Sequence, residues 1–426
     1  MGVFFDIVGF EYKKILKRKS TLVSLSMILI AIAFIDIRSI TSTSYRNSDA
    51  DVSIVSVMQK DRKVVHSKAG LMDEALIKEA IEQNARLIEN EENYYKTEYG
   101  KYIKEDAYIR YILPYKNVIY LINGAFEKNI ENLSTDGVKI INTSNVQPID
   151  TLTEKDSKSF YTRINQATIN HINRLPFLTQ DEKQMHFDML SQVKIPYYND
   201  YNDGYLNILM NMEVIALISM IAISICILPI FANEYYLKTD QIILSSKYGK
   251  NKVIKAKLFA GITFTVGVSA ITMCVFLLSI LLIHGCNGAN MAIQTIEIFS
   301  TYPLTLLQAC IIATVVVLFI ILFYGMITML FSTLFHSPFL VIIVSFLILF
   351  LPGLFKISNK NRFLYQMYQL LPVRATQFSN IFSVYLFEIF GVVLTPVSFY
   401  IIFAIIGTVL AIPVSKHIFK NHQIES

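Results

Sequence analysis

Apolar and polar positions split the chain into stretches of very different character. In the first 19 residues Phe4, Phe5, Val8, Tyr12, Ile15 and Leu16 recur on a helical period, with Asp6, Lys13, Lys14, Lys17 and Arg18 largely opposite. This predicts an amphipathic helix over 1–19, lying on a membrane surface with its basic side wet. An apolar run at 20–36 follows, diluted by Ser20, Ser24 and Ser26. With its flanks it reaches the roughly 20 residues that cross the hydrocarbon. Residues 37–205 are polar. Further apolar runs occupy 206–232, 258–284, 304–335, 339–355 and 393–414, separated by loops at 233–257 and 285–303. Residues 356–392 are mixed, with an amphipathic piece at 361–371 and an apolar piece at 381–394 containing Glu388, and predict external or re-entrant helices. Residues 415–426 form a tail. The fold class expected is all-α integral membrane: six transmembrane helices, an N-terminal amphipathic helix, and a large, mainly helical extracytoplasmic domain between the first two.

Within the polar stretch, helical patterning runs from 71 to 112, extended by Tyr94, Tyr95, Tyr99, Tyr102, Tyr108 and Tyr111 up to Pro114. Residues 118–126 continue as helix. Asp136-Gly137 reads as a turn before an apolar run at 138–141. Two helices are predicted at 159–175 and 179–193, broken at Pro176, with Asp181 and Glu182 in the first turn of the second. Tyr197, Tyr198, Tyr201 and Tyr205 crowd the return to the membrane, where tyrosine would form the interfacial belt of a chain with no tryptophan.

Composition sharpens the picture. The chain is 53% hydrophobic and 17% charged, against about 25% charged in soluble domains. Residues 37–205 hold 21 of the 38 basic and 24 of the 33 acidic residues. The net charge of +5 therefore averages two regions and marks no nucleic-acid surface. Cys226, Cys274, Cys286 and Cys310 lie in or beside apolar runs, so the polar stretch relies on no disulfide. Abundant Lys, Asn, Ile and Tyr suggest an AT-rich genome. Five basic residues precede the first span, six lysines lie in 233–257 and two in the tail. The positive-inside rule then puts both termini and the central loop in the cytoplasm and 37–205 outside. Ala31-Ile-Ala33 is a small-x-small pattern, but it sits inside the apolar run, and no cleavage is expected.

Catalytic chemistry is missing. Gly100-Lys101 and Gly249-Lys250 are the only Gly-Lys pairs, and neither lysine precedes Ser or Thr, so there is no Walker A loop. No zinc-protease or nucleophile-elbow motif occurs. His171 and His186 read as exposed and unpaired, and the paired carboxylates as solvated helix faces. The sequons at Asn132 and Asn142 read as chance patterns. Glu213 and Glu388 are the intramembrane polar candidates, too few for an ion-coupled carrier.

The central loop is the informative stretch. It carries six lysines, Glu234, Asp240 and an apolar triplet, Ile242-Ile243-Leu244. The triplet has no reason to be in a solvated loop. The order of elements, together with this loop, resembles the membrane subunits of type-2 ABC exporters, the ABC-2 permeases. That family places Glu at the inner end of the second span, then Gly-Thr, a Leu pair, a small-residue turn with a basic residue, and Lys opening the third span. Here Glu234, Thr239, Ile243-Leu244, Ser245-Ser246, Lys250 and Lys257 match. Lys238 stands where Gly is common and Lys247 where Pro is, with Gly249 loosening the turn.

The resemblance implies a coupling helix, formed by Glu234, Thr239, Asp240, Ile242, Ile243, Leu244, Lys250 and Lys257, seated in a cleft of a separate ABC ATPase. It implies a second permease copy or a related permease, a plasma-membrane location in a Gram-positive bacterium, and export of an amphipathic substrate. Peptide antibiotics come first, as in lantibiotic or bacitracin immunity and resistance, with drugs or lipids as rivals. ATP and Mg would sit on the partner, and this chain would carry no cofactor, no catalytic residue and no metal. A membrane sensor whose external domain binds a ligand is the competing class. It calls for a cytoplasmic signalling domain, and the longest inner segment is the central loop.

Overall fold

The computed structural model describes residues 2–41, 53–98, 100–126, 148–355, 357–358, 361–389 and 391–421. The turn at Asp136-Gly137, the run at 138–141, both sequons and Tyr99 lie outside them. The chain begins with α1 (Gly2–Leu16) and the first membrane-length helix, α2 (Lys19–Thr41). The polar insert follows. It contains α3 (Ile54–His66), α4 (Glu74–Glu89), α5 (Glu105–Ala107), α6 (Lys116–Ala125), α7 (Phe160–Arg174) and α8 (Gln180–Ser191). The membrane part then runs α9 (Asp203–Ile227), α10 (Pro229–Tyr236), α11 (Asp240–Ser245), α12 (Ile254–His284), α13 (Leu306–Leu334) and α14 (Pro338–Leu354). Short helices α15 (Arg362–Gln369), α16 (Pro372–Ala375) and α17 (Phe378–Ile381) lead to α18 (Pro396–Lys420).

Among the described residues five helices are long and apolar enough to cross a membrane: Lys19–Thr41, Asp203–Tyr236, Gly249–His284, Leu306–Leu334 and Pro396–Lys420. The sixth expected span, α14, is apolar throughout but only 17 residues long. Local chemistry fixes the starts of several of these helices. Thr305 and Gln308 form a capping box at the head of α13. Pro338 and Pro396 occupy first-turn positions, where a missing N–H costs nothing. The ends differ from the apolar runs by several residues, because helices continue past the apolar stripe wherever packing supports them. Thus α18 runs on to Lys420 and buries Phe419, so that residues 415–420 of the expected tail are helix.

α13 sits at the centre, packed against α18, α9 and α12, while α2 lies against α9. α2 and α14 turn Leu22, Leu29, Phe34, Phe339, Ile343 and Leu347 outward, faces suited to hydrocarbon rather than water.

The insert closes on itself. β1 (Gly70–Leu71), just after α3, pairs antiparallel with β4 (Tyr198–Asn199), which brings the segment returning to the membrane back beside the early part of the insert. Asn117 donates to Asn199 Oδ1 at 3.0 Å and to the Asp200 carbonyl at 2.8 Å beside this pairing. Ile77, Ile81, Val118, Leu121, Phe160 and Ile164 fill its core. The helical reading of 71–112 fails at the tyrosines. β2 (Tyr94–Thr97) and β3 (Gly100–Ile103) form a hairpin in which Tyr95 and Tyr102 stack at 5.7 Å. Aromatic side chains suit cross-strand pairing, and Gly100 takes φ +142° at the turn.

The stretch 381–394 is neither a span nor a re-entrant helix. After α17 it forms a hairpin of β5 (Phe387–Ile389) and β6 (Val392–Leu394). Phe387 stacks on Phe399 at 4.1 Å, so the apolar side chains here serve a local core.

The histidines are also unlike the expectation. His186 is fully buried and joins three segments. Its Nε2 donates to the Val384 carbonyl and its Nδ1 accepts from Thr301 Oγ1, each at 2.8 Å. Burial pushes His186 below the usual histidine range, so the ring is neutral and the carbonyl fixes its tautomer. His171 stacks on Phe299 at 4.9 Å and is pushed down to about 4 by desolvation. Helical patterning could not reveal partners contributed by residues 299–301 and 384.

Candidate functional site

At one end of the bundle, α1, α10, α11 and the start of α12 converge on a buried ion cluster. Lys257 is 1% exposed. Its Nζ donates to Glu234 Oε1 at 2.9 Å, to Glu11 Oε2 at 3.1 Å and to the Ile230 carbonyl at 3.0 Å. A lysine ammonium has three donors and no acceptor, and here each donor has one acceptor. Lys14 Nζ reaches the same Glu234 oxygen at 2.7 Å from the exposed side. Thr239 Oγ1 donates to the other Glu234 oxygen. The two carboxylates thus share a buried ammonium, with Lys14 on the exposed side and the Arg18 guanidinium close enough to act on both, which meets the condition for burying their charge.

Glu11 was not among the sequence-predicted residues. The available signal was its position three residues after Val8 and four before Ile15, an acid on the apolar face of α1. Around it, Val8 packs with Ala256 and Ala260, and Tyr12 donates to Thr263 Oγ1 at 2.7 Å. The amphipathic helix is therefore fastened to α12 along its whole length, and through the ion cluster to α10.

The turn out of α10 explains one departure from the family pattern. The Thr239 amide donates to the Glu234 carbonyl at 2.9 Å and the Lys238 amide to the Tyr235 carbonyl at 3.0 Å. This is a Schellman closure, which needs a left-handed residue after the cap. Lys238 fills that position at φ +57°. A side chain pays about 1–2 kcal/mol to sit there. Lys238→Gly should therefore raise the apparent melting temperature of the purified protein, by the equivalent of about 1 kcal/mol. An unchanged or lower melting temperature would show that the lysine is compensated elsewhere.

The predicted loop residues part company here. Asp240 and Leu244 are buried, Ile243 is half-buried against the core, and Lys250 is exposed. Ile242 is 71% exposed, and Tyr236 and Leu237, at the end of α10, are exposed as well. The apolar triplet is thus one outward and two inward residues, as a single helical turn dictates. Gly249 closes this turn. A Cβ there would lie 1.5 Å from the Ile243 carbonyl oxygen, so the glycine is required by close approach rather than for looseness. A groove of about 530 Å³ runs between α1 and the loop, lined by Ile7, Phe10, Thr239, Ile242, Ile243 and Val253.

The two intramembrane polar candidates are elsewhere. Glu213, on α9, faces Gln377 and Arg374. Glu388 lies on β5, outside any membrane-length helix, 3.5 Å from Arg362. Arg362 also grips Glu182 of the insert through two bonds of 2.6 and 3.1 Å. Among the described residues no group of three or more His, Cys, Asp or Glu could hold a metal ion, and the four cysteines are free.

A family model described as "ABC-2 family transporter protein" matches residues 6–361. No curated protein matches the sequence. The matched segment takes in α1, the insert, the ion cluster and the membrane helices up to α14. A multi-pass apolar bundle, a surface helix tied by buried charge to the base of two of its spans, and a match over most of the chain agree: this protein belongs to the ABC-2 family of transporter proteins, whose members are membrane subunits that work with an ABC ATPase.

Proposed function

We propose that the chain is the permease subunit of an ATP-driven exporter that moves an amphipathic substrate out of the cell or membrane, with a peptide antibiotic as the first candidate and a drug or lipid-like molecule next. The buried Glu11–Lys257–Glu234 cluster carries this reading. It makes α1, α10 and the start of α12 one mechanical unit. Force applied at α11 would therefore reach two membrane helices together. Ile242, Tyr236 and Leu237 offer an apolar tip that a partner ATPase would cover, with Lys247 and Lys250 at its edge for an acidic rim. ATP and Mg belong to that partner. Two permease subunits, alike or related, would face each other, with termini and loop in the cytoplasm and the insert outside, in a Gram-positive plasma membrane. Nucleotide-driven closure of the ATPases would then switch the paired bundles between inward- and outward-open states.

The test is gentle-detergent purification of a tagged copy from its native host. The wild-type chain should bring down a Walker-type ATPase. Ile242→Asp should cut recovery at least tenfold while leaving the melting temperature within about 1 kcal/mol equivalent, since exposed positions contribute little to stability. Leu244 is unsuitable for this purpose, because its side chain is buried in the chain's own core. Undiminished recovery with Ile242→Asp would remove α11 from the contact.

A further inference from the structure

α9 and α10 form one membrane-length helix, Asp203–Tyr236, broken at a single point, Leu228–Pro229. Pro229 has no N–H and so leaves the carbonyl four residues earlier without its helical partner. Proline alone can kink a helix, but a second event occurs here. Ser332, from α13, places its hydroxyl inside the hydrogen-bond ladder. Ser332 Oγ accepts from the Ala232 amide at 2.9 Å and donates to the Leu228 carbonyl at 2.5 Å. In a regular helix those two groups would bond each other. The same oxygen accepts from the Phe231 amide at 3.1 Å. Two residues beyond Leu228, the Ile230 carbonyl accepts from Lys257 of α12. A side chain inserted into the ladder is a recognised cause of a helix kink.

We infer that Ser332 is a positioning residue that sets the angle of α10, and with it α11, against α9, making Leu228–Pro229 the hinge of the second span. The inference rests on the reading of α11 as the element that meets the ATPase. Beyond the hinge, α10 is built as a lever. Phe231 and Tyr235 pack on Phe419 at 4.9 and 5.5 Å, Tyr235 donates to the Thr333 carbonyl, and Glu234 joins the ion cluster. Before it, α9 is locked in the bundle core. Gly261 allows the close approach that the insertion needs, since a Cβ there would meet Met329 Sδ at 2.2 Å and Ile230 Cδ1 at 3.2 Å. Three helices therefore share one adjustable turn, and the Phe231 and Ala232 amides and the Leu228 carbonyl at the break are all bonded to one hydroxyl of a neighbouring helix that can release them.

The lever gives a measurable amplitude. α10 has eight residues, about 12 Å at 1.5 Å per residue. A change of about 20° at the hinge moves its far end by about 4 Å. Spin labels at Ser245 and Ile311, in a background where Cys274 and Cys286 are serine, read that displacement in the full chain in nanodiscs. Ser332→Ala removes the inserted hydroxyl and lets Ala232 bond Leu228 directly. The mean distance should shift, by up to about 4 Å, and Ser332→Thr, which keeps the hydroxyl, should restore the wild-type value. Pro229→Ala should add to the shift. Wild-type distances in both Ser332→Ala and Pro229→Ala, or a threonine variant shifted as far as alanine, would overturn the inference. ATPase recovery is scored on the same preparations. If the wild-type chain recovers no ATPase, the exporter reading fails while a distance shift still supports the hinge. If recovery is normal and the distances do not move, the hinge alone fails.

Discussion

Lys257→Met should cost the fold about 3–5 kcal/mol, the largest single loss expected in this chain, because it leaves two carboxylates facing each other in a buried pocket. Methionine is unbranched and one atom shorter than lysine, so it fits the space without strain and the effect comes mainly from the lost charge. Glu11 Oε2 and Glu234 Oε1 would lose their shared counter-ion, and the Ile230 carbonyl its donor. Lys14 could still serve Glu234 from the wetter side, but it makes no bond to Glu11. Lys257→Arg should rescue poorly. A planar fork does not place three donors on three converging acceptors as an ammonium does. The triple variant with Glu11, Glu234 and Lys257 all replaced by methionine should recover most of the stability, since apolar groups of similar volume often substitute for a buried ion cluster at little cost. The measurement is the thermal transition and monodispersity of purified protein. Wild-type melting of Lys257→Met would mean that the cluster contributes nothing to stability.

The second large effect is expected at the other end of the bundle. Arg362→Ala strands Glu182, a carboxylate buried to 1% exposure, with the Thr179 amide as its one remaining hydrogen-bond donor among the described residues. The cost is about 3 kcal/mol, toward the lower bound for breaking a buried pair, because Arg362 itself is partly exposed. Glu182→Ala should cost less. It removes the capping-box contact but leaves a guanidinium that water can reach. Arg362 is the bond between the insert and the segment leading to α18, since it also meets Glu388. Its loss should free the β5–β6 hairpin. Limited proteolysis would read this as faster cleavage in 383–395 with the insert still resistant. Unchanged proteolysis and melting would show that the His186 bridge holds the two segments together alone.

These two clusters show what was legible in the sequence. Each contains residues that a one-dimensional pattern finds by type but not by partner. Glu234 and Lys257 stood out because they resemble a family motif, and Glu182 because it begins a helix. Glu11 and Arg362 had no local signal strong enough, since their importance comes from residues 246 and 180 positions away. The triplet Ile242-Ile243-Leu244 was legible as an apolar anomaly. Which of the three faces outward depends on the register of one helical turn against the core, and the structure turns only Ile242 out. Lys238 was noticed as a departure from Gly, and its φ supplies the reason a glycine is common there. The tyrosines at 94–102 satisfied a helical period by number alone, and β-propensity with Gly100 decided otherwise.

The sequence alone determined the class of this protein. Apolar runs of bilayer length and a polar insert bearing most of the charge leave one economical solution, because backbone polar groups in hydrocarbon must be satisfied within helices. The amphipathic helix, the helical pair around Pro176 and the family of the central loop were readable for the same reason: their signals are local and periodic. Only the tertiary structure decided where the chain holds its charge and where it bends. Those features are made by atoms from distant segments meeting in a low-dielectric interior, as Lys257 meets Glu11 and as Ser332 enters the ladder of α10. No spacing along one segment encodes such a meeting, because it is fixed by how the helices pack.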